Sequence, residues 1–174
     1  ALYTRQYVME RFPDDDFLKI ATLEEFALAG LLHDTGKIYM EDIILKTEKL
    51  TDEDWIKIRK HPKDGYEILK KAGITSDKIL NAVLYHHMRL DGSGYPGIQT
   101  GDSVLPLTYL IGIVDSLEAI TSKSRRHNVN KKETSMEEAI EIIFRDTKEK
   151  RSYPVDFFNI VANALLSHDQ DSED

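Results

Sequence analysis

Residues 104–120 are apolar on almost every side, yet they carry a carboxylate at Asp115. Pro106, Thr108, Ser116 and Glu118 are the other breaks in this stretch. Nowhere does the chain run through the ~18 uninterrupted apolar residues that mark a membrane helix, so no membrane span is expected. A helix that is apolar all round has to be wrapped by other elements. Residues 105–120 are therefore expected to form the central buried helix. With 174 residues and 41% hydrophobic content, the chain can supply that wrapping as one domain.

The wrapping elements read as helices. Tyr3, Tyr7, Val8 and Phe12 recur at helical spacing up to Pro13. Thr22 followed by Glu25 has the form of a capping box, opening a helix with Phe26, Leu28, Leu31 and Leu32. Gly36 reads as its stop. Thr51 caps a helix with Trp55, Ile56 and Ile58 on its apolar side, and Pro62 to Gly73 frames the next. Ser76 caps a helix with Ile79, Leu80, Val83 and Leu84, whose last turn carries His86 and His87. Residues 91–97 are a Gly-rich loop. Ser135 with Glu138 opens a further helix, and Pro154 starts the last. No β alternation of useful length occurs. The expected fold class is all-α, a compact helical domain over residues 1–168 with an acidic, frayed tail over 169–174.

Formal net charge is -8, which disfavours wrapping duplex nucleic acid and means an anionic substrate needs local cations. The absence of cysteine excludes disulfides, thiolate nucleophiles and Cys-type zinc sites, and fits a reducing, cytoplasmic setting. No signal peptide is visible and the chain begins at Ala1 rather than Met, so a segment of a longer protein is expected.

A lone buried carboxylate costs several kcal/mol or takes up a proton. A cation beside Asp115 removes that cost; the alternative is an Asp bonded to Ser or backbone groups. The ordered run His33-Asp34, His61, His86-His87, Asp115 offers four imidazoles and two carboxylates, a set that suits divalent iron, manganese or zinc. Six protein ligands exceed what one catalytic ion takes, so two ions are expected. Asp34, with two oxygens, is the choice for the shared ligand; its plain alternative is a helix-ending Asp. As neighbours on a helix, His86 and His87 point about 100° apart and would reach such a site from two sides. His127 and His168 lie in polar surroundings and read as solvated. A two-metal site is suited to hydrolysing phosphate esters.

These residues, with their neighbours, resemble a known family. His33-Asp34-Thr35-Gly36-Lys37, His61-Pro62 with Gly65, His86-His87, Asp91-Gly92-Ser93-Gly94-Tyr95-Pro96, Asp115 and Thr121-Ser122 are similar to the motifs of the HD-GYP subgroup of HD phosphohydrolases. The resemblance implies an HD-type helical domain holding two or three metal ions, often iron or manganese. It implies hydrolysis of a cyclic dinucleotide, above all cyclic di-GMP, to pGpG or GMP. It makes His33, Asp34, His61, His86, His87 and Asp115 the metal ligands and has Lys37 contact the scissile phosphate. Gly94, Tyr95 and Pro96 would shape the substrate mouth or meet a diguanylate cyclase (GGDEF) partner; the plain alternative is a tight turn. Attachment to a sensory or receiver domain is also implied.

The chain departs from the family pattern in places. Met88 stands where Glu is usual, and Glu118 where Asp is usual. Ser124-Arg125-Arg126-His127 replaces Arg-Pro-Tyr-Arg, so Arg125 and Arg126 are the candidates to bind substrate there, set against a simple solvated loop. Leu2 occupies the place of an upstream His, which argues for two metals rather than three. Two other readings follow: an HD-GYP module that binds a cyclic dinucleotide or a GGDEF protein with weakened turnover, and a general HD nucleotidase.

Overall fold

The computed structural model describes residues 21–46, 48–98, 103–122 and 134–171, with side chains to 166. In chain order the helices are α1 (Leu23–Leu32), the 3-10 helix η1 (Thr35–Tyr39), α2 (Glu41–Ile44), α3 (Asp52–Ile58), α4 (His61–Lys71) and α5 (Asp77–Tyr85). Then come α6 (Pro106–Thr121), α7 (Met136–Lys150) and α8 (Val155–Asp171). No strand occurs among the described residues, so the fold is all-α. The helix expected before Pro13, together with Arg125 and Arg126, lies outside them.

The central helix is α6, as its composition demands. Leu107, Leu110, Ile113 and Leu117 are all but fully buried, with α1, α5, α7 and α8 packed around them. Phe26 and Ala29 of α1, Ala139 and Ile143 of α7, and Phe158 and Val161 of α8 complete this core. A smaller core of Leu69, Ile79, Leu80 and Val83 joins α4 to α5. No helix among the described residues is long and apolar enough to cross a membrane.

The capping boxes at Thr22–Glu25, Thr51–Asp54 and Ser135–Glu138 all form, each satisfying amides that a helix start leaves open. Ser76 sits at the N-cap of α5 as expected, but its side chain makes no cap hydrogen bond there. Its hydroxyl instead donates to Glu25 Oε1 at 3.0 Å, and Lys78 reaches the other Glu25 oxygen at 3.4 Å. Glu25 therefore ties the start of α1 to the start of α5.

Two expected apolar faces turn outward. Leu31 is 79% exposed, because Phe26 and Ala29 face the main core and Leu28 and Leu32 the smaller one, leaving Leu31 on the remaining side. In α3 the burial is the reverse of the sequence reading. Trp55 and Ile56 are exposed, while Asp54 is buried, with both its oxygens 2.7 Å from Lys46 Nζ. The ion pair ties Lys46, beyond α2, to the first turn of α3.

Backbone contact is closest between η1 and α4. A Cβ placed on Gly36 would stand 2.0 Å from His61 O and 2.6 Å from Gly65 N. Gly65 in turn has Gly36 N at 3.1 Å from its own would-be Cβ, so two glycines make this crossing possible. Gly30, by contrast, has nothing within 4 Å of its would-be Cβ and sits inside α1. We expect opposite effects of one methyl group. Gly36→Ala should destabilise by about 1–3 kcal/mol or more through overpacking. Gly30→Ala should stabilise by about 0.5–1 kcal/mol through helix propensity. Urea denaturation of the two variants checks both signs.

Candidate metal centre

His33 is the C-cap of α1, Asp34 opens η1, and His61 is the first residue of α4. His86 caps the C-terminus of α5, with His87 just beyond it, and Asp115 lies on α6. Four helix ends and one buried helix thus converge. The sequence reading put His86 and His87 inside a helical turn. The helix stops at Tyr85 instead, and the two rings close to 4.1 Å between centroids.

Three of the imidazoles are held in the same way. His33 Nδ1 donates to Gly30 O at 2.8 Å, His61 Nδ1 to Ile58 O at 2.7 Å, and His86 Nδ1 to Val83 O at 3.0 Å. With the proton fixed on Nδ1, each Nε2 is left as a lone-pair donor aimed inward. His61 Nε2 stands 3.2 Å from His86 Nε2 and 3.2 Å from Asp34 Oδ1. His33 Nε2 lies 3.4 Å from Asp34 Oδ2 and 3.8 Å from Asp115 Oδ1. His87 Nδ1 faces Asp115 Oδ2 at 3.9 Å.

The ligand atoms fall into two clusters, each within 4.8 Å: His61, His86 and His87 in one, His33, Asp34 and Asp115 in the other. Asp34 belongs to both by geometry, with Oδ1 toward His61 and His86 and Oδ2 toward His33. Asp34 Oδ1 and His87 Nε2 are buried without a hydrogen-bond partner. Buried polar atoms are normally satisfied. Two orphans facing one polar cluster fit cations between these groups, and the nitrogen and carboxylate set suits divalent transition metals.

The electrostatics agree. Burial pushes the Asp34 carboxyl upward, but the His61 contact and the charges of Lys37 and His33 outweigh it and hold the group far below the usual carboxylate range. Burial likewise opposes ionisation of Asp115, and His33 and His87 overcome it, leaving it at about 2. Desolvation drives His86 down to about 4 and His87 down to about 2, with neighbouring imidazoles adding to the effect. For His33 burial lowers the value, and the bonds and charges of Asp115 and Asp34 reverse it to a net rise.

The Gly-rich loop closes over the pair of histidines. The Tyr95 ring stacks on His87 at 4.4 Å and meets His61 edge-on at 6.2 Å. Gly94 has φ +96, and a Cβ there would stand 2.1 Å from His87 O, so only glycine lets the loop lie this close. Burial and the charges of Asp115 and Asp34 push the Tyr95 hydroxyl up to about 12, keeping it protonated. Lys37 on η1 donates to Asp34 Oδ2 at 2.5 Å and is 30% exposed, at the open side of the cluster.

Behind the site stands a support that the sequence reading missed. Arg89 donates to the carbonyls of Met88 at 3.2 Å and His86 at 3.4 Å, and its guanidinium lies 4.7 Å from the centroid of the Tyr153 ring. The Tyr153 hydroxyl donates to Gly112 O and shares a hydrogen bond with Ser116 Oγ, both at 2.8 Å. Gly112 lets α6 pass the His86 carbonyl; a Cβ there would be 2.5 Å away. Arg89 had a signal, its place two residues after His87. Tyr153 had none beyond preceding Pro154. Met88, where the family has Glu, is fully packed inside and offers the centre no ligand.

Comparison with known proteins agrees with this geometry. The chain matches the HD domain family over residues 10–152. It is 39% identical over 101 residues to a cyclic di-GMP phosphodiesterase of Pseudomonas aeruginosa, which covers 58% of this chain and 24% of that protein. It is 31% identical over 135 residues to a cyclic di-GMP phosphodiesterase of Vibrio cholerae, covering 70% and 27%. A 3'3'-cGAMP-specific phosphodiesterase of the same bacterium is 34% identical over 97 residues, covering 55% and 19%. The chain spans about a quarter of the length of the first two. Among solved structures, Bd1817, a HDG"Y"P protein from Bdellovibrio bacteriovorus, superposes with a TM-score of 0.63 at 16% identity over 94% of this chain and 50% of that one. The chain belongs to the HD domain family.

The pKa shifts set a pH dependence for the metal-free protein. His86 and His87 titrate near 6.5 when unfolded, but at about 4 and about 2 when folded. Below pH 6.5 the unfolded chain therefore binds protons that the folded chain refuses, and stability falls as pH drops. Asp115 adds the same trend between about 3.8 and about 2. Urea midpoints of chelator-treated protein should decline from pH 7 to pH 4, and less steeply in His86→Asn. A flat profile would mean the imidazoles are not desolvated.

Proposed function

We propose that this domain is a metal-dependent phosphodiesterase that opens a cyclic dinucleotide, with cyclic di-GMP converted to pGpG or GMP as the leading reaction. The observation that carries the reading is Asp34. Its two oxygens face two separate ligand clusters, and one of them is buried with no partner. Names of the relatives, cyclic di-GMP and 3'3'-cGAMP phosphodiesterases, support the substrate class.

In this reading His61, His86, His87 and Asp34 would hold one divalent ion, and His33, Asp34 and Asp115 would hold another, iron or manganese being preferred. Such a pair supplies a water nucleophile at neutral pH and neutralises charge on the phosphate under attack. The rest is done by side chains. Asp34 and Asp115 stay ionised at any physiological pH, because the His61 contact with the charges of Lys37 and His33 depresses the first and the His33 bond depresses the second. His86 and His87 stay neutral, because desolvation depresses them, so their nitrogens are free to ligate. Lys37 sits at the open side, where its ammonium stabilises negative charge developing on the phosphate oxygens. Tyr95 stacks on His87 and keeps its phenol protonated beside the cluster. Arg125 and Arg126 are assigned to substrate binding from sequence alone. The full protein is taken to act in the cytoplasm, with a sensory or receiver domain attached and a GGDEF protein as a possible partner.

The buried Met88 favours one alternative, a module that binds the dinucleotide with weakened turnover. Metal analysis of protein purified without chelator, joined to a hydrolysis assay, separates the two. Asp34→Ala should remove both metals and reduce turnover at least ~100-fold, the scale expected when an electrostatic anchor of the transition state is lost. Lys37→Ala should keep the metal content and slow hydrolysis. Loss of metal in that variant would reassign Lys37 to the centre's scaffold. Full metal loading with dinucleotide bound and no product would favour the binding module.

A further inference from the structure

The chain carries a net charge of -8, yet residues 55–63 contain four cations and no acid: Lys57, Arg59, Lys60 and Lys63. All four are exposed. Of the two acids bounding this run, Asp54 is already engaged by Lys46. The run spans the junction of α3 and α4 and has the buried ligand His61 at its middle. One of its members reaches the site. The Arg59 guanidinium lies 5.9 Å from the Tyr95 ring centroid, and Tyr95 is itself stacked on His87. A single aromatic ring thus links an exposed cation to the His61–His86–His87 cluster.

We propose that Arg59 forms an anion subsite beside the metal centre and grips the phosphodiester of the substrate that is not being cleaved. This inference rests on the reading of the site as a cyclic-dinucleotide phosphodiesterase. A cyclic dinucleotide carries two phosphodiesters in one ring, so a site that cleaves one must accommodate the other's charge nearby. Lys37, bonded to Asp34, belongs to the first position. Arg59, held at the rim by Tyr95, belongs to the second. Guanidinium is the side chain that best matches a phosphate's paired oxygens, and its hold on an aromatic face orients the fork before the ligand arrives. Lys57, Lys60 and Lys63 add a local positive field to a protein that is otherwise acidic, and so favour arrival of an anion.

The test compares wild type, Arg59→Ala and Arg59→Lys in the metal-loaded protein. The probes are cyclic di-GMP, with two phosphodiesters, and bis(p-nitrophenyl) phosphate, with one. Arg59→Ala should raise the KM for cyclic di-GMP about tenfold or more, as expected for a lost hydrogen bond to a charged group. The kcat should change much less. The ratio of kcat/KM between the two substrates should fall by a similar factor, and Arg59→Lys should recover part of it. Calorimetric binding of cyclic di-GMP supplies a readout independent of turnover, with the same tenfold weakening expected. Unchanged KM and affinity in Arg59→Ala would overturn the subsite while leaving the function standing. Wild type that cleaves only the single-phosphate ester and does not bind the dinucleotide would overturn the function and the subsite together. An equal loss on both substrates would assign Arg59 to the centre itself and also overturn the proposal.

Discussion

Gly36 has no side chain to hold η1 away from α4, and the site depends on that. With the two backbones this close, Asp34 at the start of η1 stands beside His61 at the start of α4, 3.2 Å from oxygen to nitrogen. The remaining ligands are then placed by ordinary helix packing. α5 lies against α1 and α4 and delivers the histidine pair, and α6 crosses behind with Asp115. Without the first contact the shared carboxylate would have nothing to share. The same logic recurs at Gly112 beside the His86 carbonyl and at Gly94 beside the His87 carbonyl. Each missing Cβ sets a distance between a ligand-bearing segment and its neighbour.

Close packing of like groups has an electrostatic side. His86 and His87 are crowded out of water, which favours their neutral forms, while two carboxylates nearby remain charged. The result is a pocket rich in lone pairs with a local excess of negative charge. Burying charge of one sign without compensation is unfavourable. The acidic cluster and the orphaned polar atoms are therefore two expressions of one feature, a set of converging donor groups suited to positive ions. The half-exposed Lys37 and the exposed 57–63 run supply positive charge beside this centre.

Much of the architecture was legible in the residues, and the reasons are local. Capping boxes identify helix starts because they depend on side chains three positions apart, and all three that the described residues include were formed. The all-round apolar character of residues 105–120 announced a central helix, since no other environment covers every face. The convergence of the candidate ligands was readable because each is a residue type with few plain reasons to lie beside the others. What stayed hidden was decided between elements. Ser76 bonds Glu25 from a distant helix, Asp54 is buried by a lysine before its own helix, and Leu31 is exposed because its neighbours use the two cores first. The end of α5 at Tyr85 is similar in kind: no glycine or proline stands between it and Gly92 to announce it. Arg59 and Tyr153 carry no pattern that marks them in one dimension, because their importance lies in the rings they touch.

The recurring bond from a ring nitrogen to the carbonyl three residues earlier, in His33, His61 and His86, has a consequence for how such a centre is assembled. Each of these donors is aimed by its own short segment of backbone. Orientation is thus settled locally, and the tertiary fold has only to bring finished pieces to a common point. Stretches of chain that carry none of these groups and pack against none of them are then free to vary in length and composition, so long as the three prefabricated turns still meet.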